Sequence, residues 1–174
     1  MTRSGIYAIG FCAHYSQQGD WAFRYALKLA QDNGLQLNVF HFLENPYDLN
    51  DHSGQSLSRE ERARIAVERE KELRFYYDQL AGDYLKVGFR FCEDNEWTEL
   101  HRCLLVREFQ VLVLAKTTSD CVFAGKRIEE FAHAFISPTV LIGPDAPDQI
   151  QLNSRAALIA DQIGVPQHSW VPVS

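Results

Sequence analysis

Cys12 and His14 stand one residue apart, and Asp120 lies beside Cys121. Thiolate and imidazole suit zinc, so these four side chains could hold a metal if the fold brought them together. Their spacing matches no finger or ribbon, and free cysteine is among the most commonly buried residue types, so no metal is assigned. A redox role for Cys12 would need exposure and a lowered pKa. A second cluster is the hydroxyl-rich run Lys116, Thr117, Thr118, Ser119, Asp120, followed by Gly125, Lys126 and Arg127. If Gly125 precedes a helix, Lys126 and Arg127 fall in its first turn, where each opposes the macrodipole by roughly 0.3–1 kcal/mol. A phosphate or carboxylate held between them and the helix amides would reverse that penalty. The same residues on a surface turn would simply be solvated, and both readings stand. His41, in or at the end of a strand, is expected to be a satisfied structural histidine. No G-x-S-x-G elbow, Walker A loop, H-E-x-x-H or dinucleotide glycine fingerprint occurs, so no catalytic residue is named.

The elements that must position these residues follow from composition and periodicity. The chain has 174 residues, 46% hydrophobic and 23% charged, the profile of one globular domain. At this length folding buries about 70% of the unfolded chain's surface, so no staple is required. The 17 basic and 23 acidic residues leave a formal charge of −6, which argues against a nucleic acid or an anionic membrane as main partner. No apolar run reaches the roughly 20 residues of a membrane span, and residues 1–5 are no signal peptide. Four cysteines without paired spacing suit a reducing cytoplasm.

Apolar runs at 6–11, 35–43, 84–92, 111–115 and 139–142 read as strands. Between them lie helical patterns at 18–33, 58–81, 97–104 and 125–136. Asn33 and Gly34 close the first helix, and Asp94 or Asn95 is suited to cap the third. The SREE run at 58–61 is a capping box for the second, whose basic residues interleave with glutamates in pairs such as Glu60 and Arg64. Residues 44–57 hold proline, glycine and several Asn and Asp, a loop of unusual length. Strands separated by helices require crossovers, hence a doubly wound α/β domain with a five-stranded parallel sheet and helices on both faces. Four of the six prolines follow the last strand. Residues 143–147 read as a linker to a C-terminal extension, residues 144–174, in which Ser154 can cap a short helix. That extension packs on its own subunit or reaches across a dimer.

The order and spacing of these elements resemble the universal stress protein family. The resemblance is carried by residues 6–42, with AFRYALKLA at 22–30 and VFHF at 39–42, and by FQVLVLA at 109–115 through KRIEEFAHAFISPTVLI at 126–142. It implies strand order 3-2-1-4-5, a domain over residues 1–143 and a homodimer. The family's nucleotide-binding members carry an acidic residue at the end of the first strand. They also have a G-x-x-G loop after the fourth strand and a G-[ST] pair at the last helix. Here the acidic position falls near Phe11 or Cys12, the loop glycines fall on Ala115 and Thr118, and the G-[ST] pair falls on Gly125 and Lys126. ATP is thus the cofactor the resemblance suggests, through a degenerate motif, and none is expected to be required. In open α/β sheets ligands bind beyond the strand ends where strand order reverses. The candidate ligand residues are therefore Cys12, His14, Ala115, Thr117, Thr118, Ser119, Gly125, Lys126 and Arg127. The function expected is a non-catalytic stress-response or regulatory protein binding a partner or a small anionic ligand, with a rebuilt nucleotide site as the alternative.

Overall fold

Continuous apolar stretches bounded by polar turns form the strands, and the computed structural model describes residues 5–54, 56–93 and 98–173. The central elements are β1 (Ala8–Cys12), α1 (Gln17–Asn33), β2 (Gln36–Phe42), α2 (Arg59–Ala81), β3 (Val87–Cys92), α3 (Thr98–Leu105) and β4 (Val111–Ala115). A hairpin of β5 (Val122–Phe123) and β6 (Lys126–Arg127) precedes α4 (Ile128–Ala134) and β7 (Thr139–Ile142). The chain then adds β8 (Ile150–Leu152), α5 (Ser154–Ala157) and β9 (Val171–Pro172). Strands run in the order β3-β2-β1-β4-β7-β8-β9. The five from β3 to β7 are mutually parallel, as the α-helical crossovers require, whereas β8 is antiparallel to β7.

Among the described residues the sheet therefore has seven strands rather than the five expected, because the C-terminal extension returns to it. Residues 143–147 are not a free linker but the turn of a β7–β8 hairpin, closed by Gly143 N–H donating to the Gln149 carbonyl at 2.9 Å. The helix after it is capped by Asn153, not Ser154. The Asn153 side chain accepts from Ala156 N–H and Thr139 N–H, and donates to the carbonyls of Ala132 and Ser137. One buried amide thus ties the extension to β7 and the end of α4. Ile163 and Val165 join the main core and Trp170 packs on it.

Alternation divides the sheet's side chains between two cores. Ile9, Phe11, Leu37, Val39, Val113 and Val140 face α1 and Leu73, Tyr77 and Ala81 of α2. Phe40, Phe42, Leu112, Leu114 and Leu141 face α3 and α4. Each such large apolar side chain contributes roughly 1.5–3 kcal/mol on burial. Gly10 permits the second core: a Cβ there would lie 2.9 Å from Phe109 and 3.0 Å from Phe40. The capping box of α2 is formed, with Ser58 and Glu61 bonding each other's backbone amides at 3.1 and 3.0 Å. The outer face of α2 carries surface pairs that each contribute less than about 1 kcal/mol. Arg64 there pairs with Glu68 rather than with Glu60. The cap expected at Asp94 or Asn95 lies outside the described residues. Among the described residues, no helix is long and apolar enough to cross a membrane.

Candidate functional site

β1 and β4 stay in register from Ile9 opposite Val111 to Phe11 opposite Val113. Beyond that pair the chains turn away to opposite faces, opening the crevice where α/β sheets take ligands. In this protein a side chain of its own fills the gap. Tyr47, from the long loop 44–57, accepts a hydrogen bond on Oη from Ala115 N–H at 3.2 Å. Its ring meets the edge of His14 at 4.4 Å between centroids and that of Phe123 at 5.0 Å. Burial first, then the neighbouring thiols of Cys12 and Cys121, keep the phenol protonated well above its ordinary range. The loop is braced to hold it there. Pro46 accepts from Ala124 N–H at 2.8 Å, Asn45 Oδ1 accepts from Tyr47 N–H at 2.9 Å, and Asp51 accepts from Asn45 and Ser53 N–H. At its base the buried Glu44 accepts from Gly54 N–H.

The residues singled out from the sequence lie around this filled crevice. Cys12 ends β1 fully buried, and burial, with Cys103 adding to it, pushes its thiol up, away from the thiolate that metal or redox chemistry needs. His14 is half-buried, kept uncharged by burial, with Nδ1 2.8 Å from Ser16 Oγ. The same serine caps α1 by accepting from Gly19 N–H at 2.9 Å. Gly19 is required there, since a Cβ would stand 1.9 Å from the His14 carbonyl oxygen. Among the described residues no group of three His, Cys, Asp or Glu could hold a metal, so Cys12, His14, Asp120 and Cys121 do not form a zinc set.

Ala115 ends β4, and its amide is taken by Tyr47. In the following turn Thr117 Oγ1 donates to Cys121 Sγ at 3.3 Å and Thr118 Oγ1 to Asp120 at 2.9 Å, while Ser119 is exposed. Lys126 and Arg127 are not in the first turn of a helix. Ala124 and Gly125 both have positive φ, +54° and +81°, as the central pair of a tight two-residue hairpin does, and this hairpin delays α4 until Ile128. Both basic side chains are exposed, and Arg127 reaches Glu129 at 3.5 Å. Glu129 is buried and also paired with Lys116. Burial alone would raise its carboxyl, but Lys116, its own backbone amide and Arg127 together bring it below the usual range. Lys116 and Arg127 therefore already have a carboxylate.

Beside the filled crevice, at the ends of β1 and β2 and under α2, lies an open cavity of about 350 Å³. Sequence reasoning missed it. Leu37, Val39 and His41 alternate onto one face of β2, so His41 is a polar residue on an apolar face, and that was the available signal. It is not a satisfied structural histidine. It is 5% exposed, lines the cavity, and neither ring nitrogen has a hydrogen-bond partner. Burial above all pushes its pKa down to about 4, with Glu70 opposing the shift and Arg69 and Arg74 adding to it. Arg69 crosses from α2 to donate through Nη1 to the carbonyls of Phe42 and Leu43 at 2.6 and 2.7 Å, closing the end of β2. Asp51, Glu72, Leu73 and Tyr15 complete the wall.

No family model matches the chain, and no curated protein matches it. Among solved structures, a universal stress protein from Archaeoglobus fulgidus has a TM-score of 0.54 at 13% identity, over 79% of this chain and 98% of that one. A universal stress protein in complex with cAMP has a TM-score of 0.51 at 15% identity, over 82% of this chain and 100% of that one. The chain therefore has the universal stress protein fold, with the strand order 3-2-1-4 at its centre.

Proposed function

We propose that this protein is a non-catalytic, cytoplasmic regulatory module of the universal-stress-protein type. It acts as a homodimer through a partner or small ligand, with ATP binding lost. One observation carries the reading: Tyr47 occupies the crevice between β1 and β4 and consumes the Ala115 amide that a phosphate would otherwise meet. Supporting it, Lys116 and Arg127 are engaged by the buried Glu129. Micromolar nucleotide affinity requires about 8 kcal/mol, and charge-assisted hydrogen bonds contribute roughly 1.5–3 kcal/mol each, so several unengaged donors would have to converge. The ligand's place is the cavity under α2. The outer edge of β7 is taken by β8, so a dimer joined through sheet edges would use β3 or β9.

A nucleotide site rebuilt from Thr117, Thr118, Ser119, Lys126 and Arg127 is the second reading, favoured by the likeness to a protein crystallised with cAMP. A thermal-shift titration with ATP, ADP and AMP, each with magnesium, separates the two. A ligand at about 100 times its dissociation constant stabilises by about 2.7 kcal/mol, several degrees in a domain of this size. No shift is expected; a saturable shift that vanishes in Lys126→Ala overturns the first reading in favour of the second.

A further inference from the structure

Cys92 ends β3 on the sheet face that packs under α3 and α4. Toward the same core α3 turns Leu100, Cys103 and Leu104, the i, i+3 and i+4 positions of one helical stripe. A side-chain link sets the two elements together: Glu99 Oε1 accepts from Glu93 N–H at 2.7 Å, and Cys103 follows Glu99 by one turn on the same helix face. There the Cys92 and Cys103 thiols meet in a hydrogen bond. That bond first, then burial and the Glu99 carboxylate, keeps the proton on Cys92, so Cys92 donates and the Cys103 sulfur accepts. A donor aimed at a sulfur favours its thiolate, the form that reacts. Access divides the pair in the same sense, Cys103 being partly exposed and Cys92 buried. The other two thiols are placed differently. Cys12 is fully buried and kept protonated by that burial, with Cys103 adding to it. Cys121 is buried, accepts from Thr117 Oγ1 and donates to the Val122 carbonyl. An accessible sulfur backed by a buried thiol in contact with it is the arrangement of an attacking and a resolving cysteine.

We propose that Cys92 and Cys103 are a peroxide-sensitive dithiol that closes to an intramolecular disulfide between β3 and α3. The Cys103 thiolate attacks one oxygen of hydrogen peroxide and the O–O bond breaks. Cys103 becomes a sulfenic acid, and the departing hydroxide takes a proton to leave as water. The Cys92 sulfur then attacks the sulfenic sulfur, the S–O bond breaks, and hydroxide leaves with the Cys92 proton as a second water. The two thiols together give up two electrons, and both peroxide oxygens end as water. A dithiol reductant returns the pair to its starting state by exchange. Because β3 is the outer strand of the sheet, the bond fastens that edge to the helix covering it. None of this depends on which ligand the crevice or the cavity takes.

The test is treatment of the folded, fully reduced chain with millimolar hydrogen peroxide, then alkylation in denaturant and mass spectrometry without reductant. The expected product is a single chain lighter by the two thiol hydrogens, with Cys12 and Cys121 alkylated and a cross-linked peptide pair holding Cys92 and Cys103. Dithiothreitol should restore all four thiols. Cys92→Ser should lose the disulfide and stop at a Cys103 sulfenic acid, captured as a dimedone adduct at that residue. Cys103→Ser should give neither disulfide nor adduct. Should either variant fail to fold by circular dichroism, the peptide map of the wild type decides alone. Four thiols surviving peroxide, a bond through Cys12 or Cys121, or a bond between two chains would each overturn the proposal. So would a dimedone adduct on Cys92 in place of Cys103, or a sulfinic acid on Cys103 with Cys92 still free.

Discussion

Replacing Tyr47 by phenylalanine keeps the ring in the crevice and removes only the oxygen that accepts from Ala115. Ala115 is fully buried, and its amide lies past the last β1–β4 pair, so no strand carbonyl on that side replaces the lost acceptor. Leaving a buried donor unmet costs about 1–3 kcal/mol, more than the roughly 0.5–1.5 kcal/mol net worth of an ordinary hydrogen bond. The phenol oxygen is itself buried, so a loss of about 1–3 kcal/mol is expected. Urea denaturation should show a lower midpoint with an unchanged slope, since the surface exposed on unfolding is the same. The melting temperature should fall by about 2–4 °C per kcal/mol in a domain of this size. A loss within a few tenths of a kcal/mol would refute the claim that Tyr47 closes the crevice through the Ala115 amide.

Other expectations follow from the same geometry. Gly19→Ala should destabilise by about 1–2 kcal/mol in thermal denaturation, because the clash with the His14 carbonyl outweighs a helix-propensity gain of up to about 1 kcal/mol; a more stable variant would contradict the packing of that turn. Glu129→Gln should cost about 3 kcal/mol at neutral pH by stranding Lys116. The Glu129 carboxyl is depressed in the folded state, so its contribution is present above the unfolded value of about 4.3 and lost as pH falls through the lower folded one. The gap between wild type and variant should therefore narrow below about pH 4, and a constant gap in acid unfolding curves would sink the assignment. Iodoacetamide should label Cys103, the one partly exposed thiol of the four, with Cys12, Cys92 and Cys121 protected until denaturant is added; mass spectrometry of the native protein showing early labelling of Cys12 would be incompatible with its burial.

The parts of the fold legible in the sequence were those set by local chemistry. Periodicity located β4 and β7 to the residue, the SREE run announced the capping box, and Gly34 marked the end of α1 with φ at +65°. What was not legible depended on distant partners. The short strand β8 pairs on the open edge of β7 and β9 in turn on β8, and Asn153 rather than Ser154 caps α5 because its amide also reaches Ala132, Ser137 and Thr139. Gly125 suits a helix start and a tight hairpin equally, and the burial of Phe123 among Phe42, Tyr47 and Phe131 coincides with the second. At the site, His14 and Ala115 were recognisable as strand-end residues. The residue that decides the crevice, Tyr47, sits in a polar loop where no period marks it, and only docking across 68 residues of chain brings it to Ala115. The alternation of Leu37, Val39 and His41 did carry a signal for the cavity, because a polar ring on an apolar face must find a partner or a reason to lack one.

The closed crevice is tested most directly by proton–proton Overhauser contacts in the isotope-labelled wild type. Contacts from the Tyr47 ring to the Ala115 amide and the His14 ring are predicted, unchanged when ATP and magnesium are added. Absence of those contacts, or their disappearance as ATP shifts the amides of residues 115–119, would contradict the account.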